Sequence, residues 1–561
     1  MFQPSRRDLV FILLGASCFY IFAAYVAYTP NPAIVINAAH PQYPINEPVT
    51  KTVTIVTTRT GYPTPTKATT LDLGLVETLP ETTVVAHAPG WTIFRNLYMS
   101  GGALILLTSD PSSFPPPRLM TSTGLPGNLT NDPERIPTSR DMQFITPEEA
   151  RVKWGGDISG GDRNRVLTVE GTTLLYNDPP QFLKHYFHFV AELIYGTWVF
   201  LYGAFADHQA ESPPVAIADA SFTPPLISTS TPTINRAIFI HSDVDGWRDA
   251  PGFNGYFTRA VFPSMTIEIS TDWKDRINAT ANTKIGRAWH FPLVLLTDRS
   301  AAFRDPICGA FTQRTAAVAW MMMARQGKID LIGNWWASMR SALLRYAGGT
   351  PHEDLNPMLQ VPDTVVITYI NRQGTRRHLR EEDNRALITA MEDLVDRKNR
   401  QGKKWEFHNV HAEQLSLDEQ VRVAAKTTIM LGVHGNGLTH LVLMKPTRLS
   451  AVVEIFFPGG YARDYEWTSR SLGMRHYSVW NDTYDPSLHS KPPADSSSRS
   501  YTHPNELQVP GYPDGFHGTE IPVYAPLVAQ LIDDHVTARE HGSPSVGFSP
   551  LHDVYDARSL T

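Results

Sequence analysis

Along the last third of the chain, apolar positions fall into short blocks whose period alternates between two and 3.6. Thr364–Ile370 is a β-branched run, and Glu381–Asn399 spaces its apolar residues as a helix does. Trp405–Val410 reads as a strand and Ser416–Lys426 as a helix, followed by the apolar run Ile429–Leu431. That run breaks at Gly432-Val433-His434-Gly435-Asn436-Gly437 and resumes as a short helix from Leu438 to Met444. Pro446 ends the helix, and Val452–Ile455 begins another strand. A helix over Tyr465–Leu472 and a strand over His476–Trp480 complete an alternation that predicts a doubly wound parallel sheet.

Glycines between a strand and a helix let a ligand approach the backbone, and the first turn of a helix offers free N–H groups to an anion. Ligands of open α/β sheets sit at the carboxyl ends of strands. His434 and Glu454 fall near such ends, and Arg372, Arg376 and Arg377 follow the first strand of the same sheet. Guanidinium forks suit a diphosphate held without a metal.

The earlier half is patterned less regularly. Ala103–Leu107 and Val166–Tyr176 read as strands, with a Pro-rich loop between them. From Leu183 an aromatic-rich helix carries His185, His188 and Glu192; the last two are four apart and share a face. A histidine beside a carboxylate is what a general base and its orienting partner require, although an aromatic core helix accounts for the same spacing. The strand Ala237–Ile240 runs on to Asp243-Val244-Asp245, a short pattern that elsewhere holds a divalent cation against a nucleotide sugar. Arg299–Gly349 is largely helical, with Met321–Met323, Trp335 and Trp336 assigned to core packing. Glu520–His541 contains an amphipathic helix, of the kind that in two-domain nucleotide-sugar enzymes crosses back to the first domain.

Composition bounds the class. The 561 residues, 42% hydrophobic and 10% aromatic, suffice for more than one domain, and a net charge of −6 argues against a nucleic-acid surface. Of the two cysteines, Cys18 lies in the N-terminal apolar segment and Cys308 stands alone in the body, so no disulfide framework is expected. Leu9–Tyr28 is uncharged and about twenty residues long, enough to span a membrane. Arg6 and Arg7 before it keep the N-terminus cytoplasmic. The stretch is longer than the apolar part of a signal peptide and lacks a clear small-x-small exit, which favours an uncleaved anchor. The expected order is a cytoplasmic tail (1–8), a signal anchor (9–28), a Pro/Thr-rich lumenal stem (29–83), an N-terminal domain (84–358), a C-terminal domain (359–541) and a disordered tail (542–561). Sequons at Asn128, Asn278 and Asn481 agree with a lumenal body.

Val433-His434-Gly435-Asn436-Gly437-Leu438-Thr439, the short helix, Pro446 and Val453-Glu454-Ile455 together resemble the signature of the family-61 glycosyltransferases. That family includes plant β-1,2-xylosyltransferases and animal enzymes that transfer N-acetylglucosamine to protein-linked acceptors. Asn436 stands where a small residue is usual, and His440 where Asn is common. The segment around His188 and Glu192 and the Arg372-x-x-x-Arg376 spacing resemble family patterns too. The resemblance implies an α/β, GT-B-like fold of two Rossmann-like domains facing across a cleft. It also implies an inverting transferase in the Golgi or ER that moves xylose or N-acetylglucosamine from a UDP-sugar to a glycan or glycoprotein, with no cofactor required. His188 and Glu192 would be catalytic. Arg372, Arg376, Arg377, His434, Gly435, Asn436, Gly437, Leu438 and Thr439 would bind the donor, and Glu454 would take its ribose hydroxyls. An inactive lumenal glycan-binding or scaffold protein, and a metal-dependent transferase built on Asp243 and Asp245, stay open as alternatives.

Overall fold

The computed structural model describes residues 79–127, 131–155, 164–181, 183–206, 231–282, 284–305, 315–351, 360–458, 460–485 and 518–541. Contacts divide the chain into Met1–Thr70 and Leu71–Thr561. The first of these units lies outside the described residues, and so do the expected tail, anchor and most of the stem, the sequon at Asn128, Cys308 and residues 542–561. Among the described residues no helix is long and apolar enough to cross a membrane.

Two sheets organise the α/β body. The first contains β1 (Thr83–Ala88), β2 (Trp91–Ser100), β3 (Ala103–Leu107), β4 (Met142–Ile145), β5 (Val166–Thr168), β6 (Thr172–Tyr176), β7 (Ile234–Phe239), β8 (Thr266–Glu268) and β9 (Ala288–Thr297). Its order is β4-β3-β2-β9-β6-β7-β8, with β1 added to β2 and β5 to β9. Strands β9, β6, β7 and β8 are parallel neighbours, as a Rossmann-like half requires, whereas β2 runs antiparallel to both β3 and β9. The first sheet is therefore mixed, a parallel half extended by antiparallel strands. The local cause is Gly101-Gly102, both at positive φ, which closes a tight hairpin between β2 and β3. The long run expected over Val166–Tyr176 is two strands, because Gly171 turns the chain at φ 85°.

The second sheet follows the sequence pattern closely. It contains β10 (Val365–Ile370), β11 (Trp405–Val410), β12 (Ile429–Val433), β13 (Ala451–Ile455), β14 (Arg475–Trp480) and β15 (Thr483–Asp485), in the order β11-β10-β12-β13-β14-β15. All the pairings are parallel except that of β15. Strands β12 and β13 are buried along their whole length because helices cover both faces, which is why they read as unbroken apolar runs. Glu381–Arg400 places Glu381, Glu382 and Asp383 in its first turn and Arg397, Lys398 and Arg400 in its last, matching the helix dipole at each end. Leu417–Lys426 begins with a capping box formed by Ser416 and Glu419.

The terminal helix Ala525–His541 stays on the second sheet and does not cross back. Val528, Leu531, Ile532 and Val536 are buried in that lobe's core, and Glu540 pairs with Lys403 at 2.8 Å. The lobes are joined by other means. One hydrophobic core contains Trp91, Tyr195 and Phe200 of the first lobe, Trp335, Trp336 and Leu343 of the connecting helices, and Met430, Leu438, Val442 and Trp467 of the second. The Trp336 indole N–H donates to the Val442 carbonyl at 2.9 Å.

Candidate functional site

The glycine turn and the arginine loop are brought together. β12 delivers His434 to the carboxyl edge of the sheet, and Arg372 follows β10 next to it. The Arg372 Nη1–H donates to the His434 carbonyl at 3.2 Å, and its Nε–H donates to the Thr375 hydroxyl at 2.9 Å. Gly435 has φ 151°, and a Cβ there would run into the Arg372 guanidinium. A Cβ at Gly437 would lie 2.7 Å from the Ile370 Cγ2. These glycines therefore make room for an arginine and a strand end as well as a turn. Arg376 is exposed, and Arg377 is half-buried with its Nη1 lacking a hydrogen-bond partner among the described residues. Burial, then repulsion from Arg377 and Arg376, lowers the Arg372 pKa to about 10. Clustered cations at a sheet edge form a well for an anion.

Behind the turn, Glu454 is fully buried between two histidines. His434 Nδ1 lies 2.5 Å from its Oε1, and His476 Nε2 lies 2.7 Å from its Oε2. Burial first, then repulsion from Asp464 and Glu466, pushes the Glu454 carboxyl well above the usual range. Burial lowers His476 to about 3. The two histidines hold the carboxyl between them, and the His434 ring stacks on Phe456 with 5.3 Å between centroids. Glu454, expected at the ribose, faces the interior between His434 and His476 and positions the His434 ring.

Three more of the residues expected at the donor, Asn436, Leu438 and Thr439, lie on the next segment. The short helix after Gly435 is a 3-10 helix, Asn436–Leu443. Leu438 packs into the core against Gly432, and Thr439 is buried beside the Tyr465 hydroxyl. The Asn436 Oδ1 accepts the Phe187 backbone N–H at 3.4 Å, across the seam between the lobes.

On the first lobe's side of that seam, Phe187–Ile194 is a π-helix, which continues as the α-helix Tyr195–Phe205. A π-turn adds a residue to the helical repeat and re-aims the side chains it carries. His188 and Glu192 still meet, with Nδ1 2.7 Å from Oε2. Glu192 Oε2 also accepts from Arg299 Nη1 at 3.2 Å, and its Oε1 accepts from the Thr315 hydroxyl at 2.8 Å. The Arg299 Nε lies 3.2 Å from Asp178 Oδ2. Burial would raise the Glu192 pKa, but His188, Arg299 and Thr315 outweigh it and hold the carboxylate below its ordinary value. An ionised Glu192 accepts the Nδ1–H of His188, so Nε2 is the basic nitrogen. His188 is 18% exposed and Glu192 1%, so the histidine is the member that reaches outward. His185 stands edge-on to it, with ring centroids 5.7 Å apart.

The helix Asp464–Ser471, which follows β13, closes the seam. Tyr465 meets Phe187 edge-on at 5.0 Å and His434 at 5.5 Å, and the Ser471 and Tyr195 hydroxyls are 2.7 Å apart. This places Asp464 in the fields of His188, Glu192 and Arg377. Asp464 was not among the expected site residues. The available signal was its position just after the carboxyl end of a buried strand, in Tyr461-Ala-Arg-Asp464-Tyr-Glu-Trp467. In this structure the lobes fit closely, and a recess lined by Thr368, Ile370, Val410, Gln420 and His440 is small and apolar.

The family model described as Glycosyltransferase 61 matches residues 186–453. The chain is a glycosyltransferase. The match starts at the residue before the π-helix and stops one residue short of Glu454, so it spans both halves of the site. No curated protein matches the chain.

Asp243 and Asp245 are exposed in the turn after β7, where Asp243 Oδ1 accepts the Asp245 N–H at 3.1 Å. Among the described residues no group of three or more His, Cys, Asp or Glu side chains is placed to hold a metal. Asn278 is exposed on the helix Ser270–Thr280, and Asn481 is exposed at φ 48°.

Proposed function

We propose that the glycosyltransferase is an inverting enzyme of GT-B arrangement that moves a sugar from a UDP-sugar to a hydroxyl of a glycan or glycoprotein. The observation that carries this reading is the pairing of His188 and Glu192 across a narrow seam from the glycine turn and its three arginines. His188 Nε2 takes the proton of the acceptor hydroxyl, while Glu192 holds the ring and balances the imidazolium that forms. The acceptor oxygen then bonds to the anomeric carbon from the face opposite the nucleotide. The bond to the diphosphate breaks, and its electron pair leaves with UDP. Arg372, Arg376 and Arg377 neutralise the charge that develops there. Attack from the opposite face makes the new linkage β. Because the lobes fit closely, donor binding requires them to part and reclose, which also keeps water from the anomeric carbon. The reading makes no use of a metal. Leu9–Tyr28, after Arg6 and Arg7, would hold the enzyme in the Golgi or ER membrane with its body in the lumen.

The test is a donor and acceptor screen on the soluble fragment from about Thr83, following nucleotide release and the anomeric configuration of the product. Release of UDP coupled to formation of a β-linked product supports the reading. An α-linked product, or no turnover of any UDP-sugar alongside turnover of a sugar carried by another nucleotide, overturns it.

A further inference from the structure

Asp464 and Arg377 each carry a polar atom that lacks a hydrogen-bond partner among the described residues. The Asp464 side chain is nine-tenths buried, and its Oδ1 makes no hydrogen bond among the described residues. The Arg377 Nη1 is likewise buried and unpaired. An unmet buried acceptor is costly, and such groups in native structures call for an explanation.

Both groups belong to one locality. Arg377 and His188 both act electrostatically on Asp464, and the adjacent Tyr465 touches both Phe187 and His434. The carboxylate therefore stands between the arginine loop and the histidine–glutamate pair. In the reaction proposed above, on which this inference rests, the leaving diphosphate lies at the first and the attacking oxygen at the second. The transferred sugar occupies the space between them.

We infer that Asp464 is a sugar-binding residue: its free Oδ1 accepts a ring hydroxyl of the sugar being transferred, beside the Arg377 Nη1 that the diphosphate engages. A ring hydroxyl is a donor of suitable reach, and a site built to bind one rejects analogues that lack it, because the carboxylate is then left unpaired. The helix that carries Asp464 is fixed at both ends of the seam, by Tyr465 against Phe187 and by Ser471 against Tyr195. Asp464 is thus a positioning and specificity residue, and no bond to it forms or breaks.

The test compares the wild-type lumenal chain with Asp464→Asn, titrating UDP, UDP-xylose and UDP-N-acetylglucosamine. UDP affinity should stay within about threefold, while the sugar nucleotide that wild type prefers should bind about 10- to 100-fold more weakly. Retained UDP binding shows in the same experiment that the variant is folded. A variant that binds both sugar nucleotides as wild type does, or loses UDP and sugar nucleotide equally, overturns the assignment and leaves the donor site standing. Wild type that binds no UDP overturns the donor reading itself. Donor analogues lacking one ring hydroxyl each give a check on wild type alone. At least one should bind as weakly as the parent binds the variant; uniform affinity across the set overturns the inference.

Discussion

His188 Nδ1 lies 2.7 Å from Glu192 Oε2, inside a π-helical turn that α-helical spacing alone does not predict. The π-turn leaves the glutamate inside, where Arg299 and Thr315 keep it ionised, and leaves the histidine at the surface of the seam. Substitution at either position should show in turnover more than in donor affinity. His188→Ala and Glu192→Gln, assayed separately with a working acceptor, should each lower kcat by about 10²- to 10⁴-fold with UDP binding kept. Near-normal kcat in both would remove the base.

The arginines should separate by burial. Arg372 braces the His434 carbonyl, and Arg377 holds an unused donor, whereas Arg376 is exposed. Arg372→Ala and Arg377→Ala should each weaken UDP binding about 10- to 100-fold, the range expected for a lost charge-assisted hydrogen bond. Arg376→Ala should weaken it less. Calorimetric titration of UDP orders the three.

At Gly435 the expected effect is steric as well as conformational. Gly435→Ala places a methyl group where the Arg372 guanidinium lies, at a φ that side chains rarely adopt. The backbone strain alone costs roughly 1–3 kcal/mol. The melting temperature should fall and UDP affinity with it, whereas Gly374→Ala, whose Cβ would meet nothing within 4 Å, should leave both almost unchanged.

Acid stability should depend on buried histidines. Burial lowers His440 from 6.5 to about 4, and burial with repulsion from Arg539 lowers His535 to about 4. Each is neutral when folded and takes a proton near pH 6.5 when unfolded. Their contribution is therefore present above pH 6.5 and is lost as pH falls from 6.5 toward 4, at roughly 1.4 kcal/mol per unit for each group. Asp464, raised to about 7, works in the opposite direction over much of that range. The check is accordingly a difference: the fall in melting temperature between pH 6.5 and 5 should be shallower in His440→Gln than in wild type.

The second lobe was legible because its strands are covered on both faces. Thr364–Ile370, Trp405–Val410 and Val452–Ile455 stand within a residue of the observed strands, and the pattern of Glu381–Asn399 locates its helix. The first lobe was less so. β2 and β9 mix apolar and polar positions and pair antiparallel across about 200 residues, a partnership that no local period encodes. In the site, residue types carried the information and direction did not. His188, Glu192, Arg372 and His434 meet as their chemistry suggested, but the burial of Glu454, Leu438 and Thr439 depends on which way a strand end and a 3-10 turn face. Asp464 escaped notice because its role arises only once its helix is laid against the π-turn of the other lobe.

The Phe187 N–H bound by Asn436 has a consequence for timing. It fastens the backbone beside His188 to the loop after Gly435, so movement of one lobe carries both or breaks that tie. In the reaction proposed above, an open molecule would have its base withdrawn from the donor, and chemistry would wait until the two halves are latched.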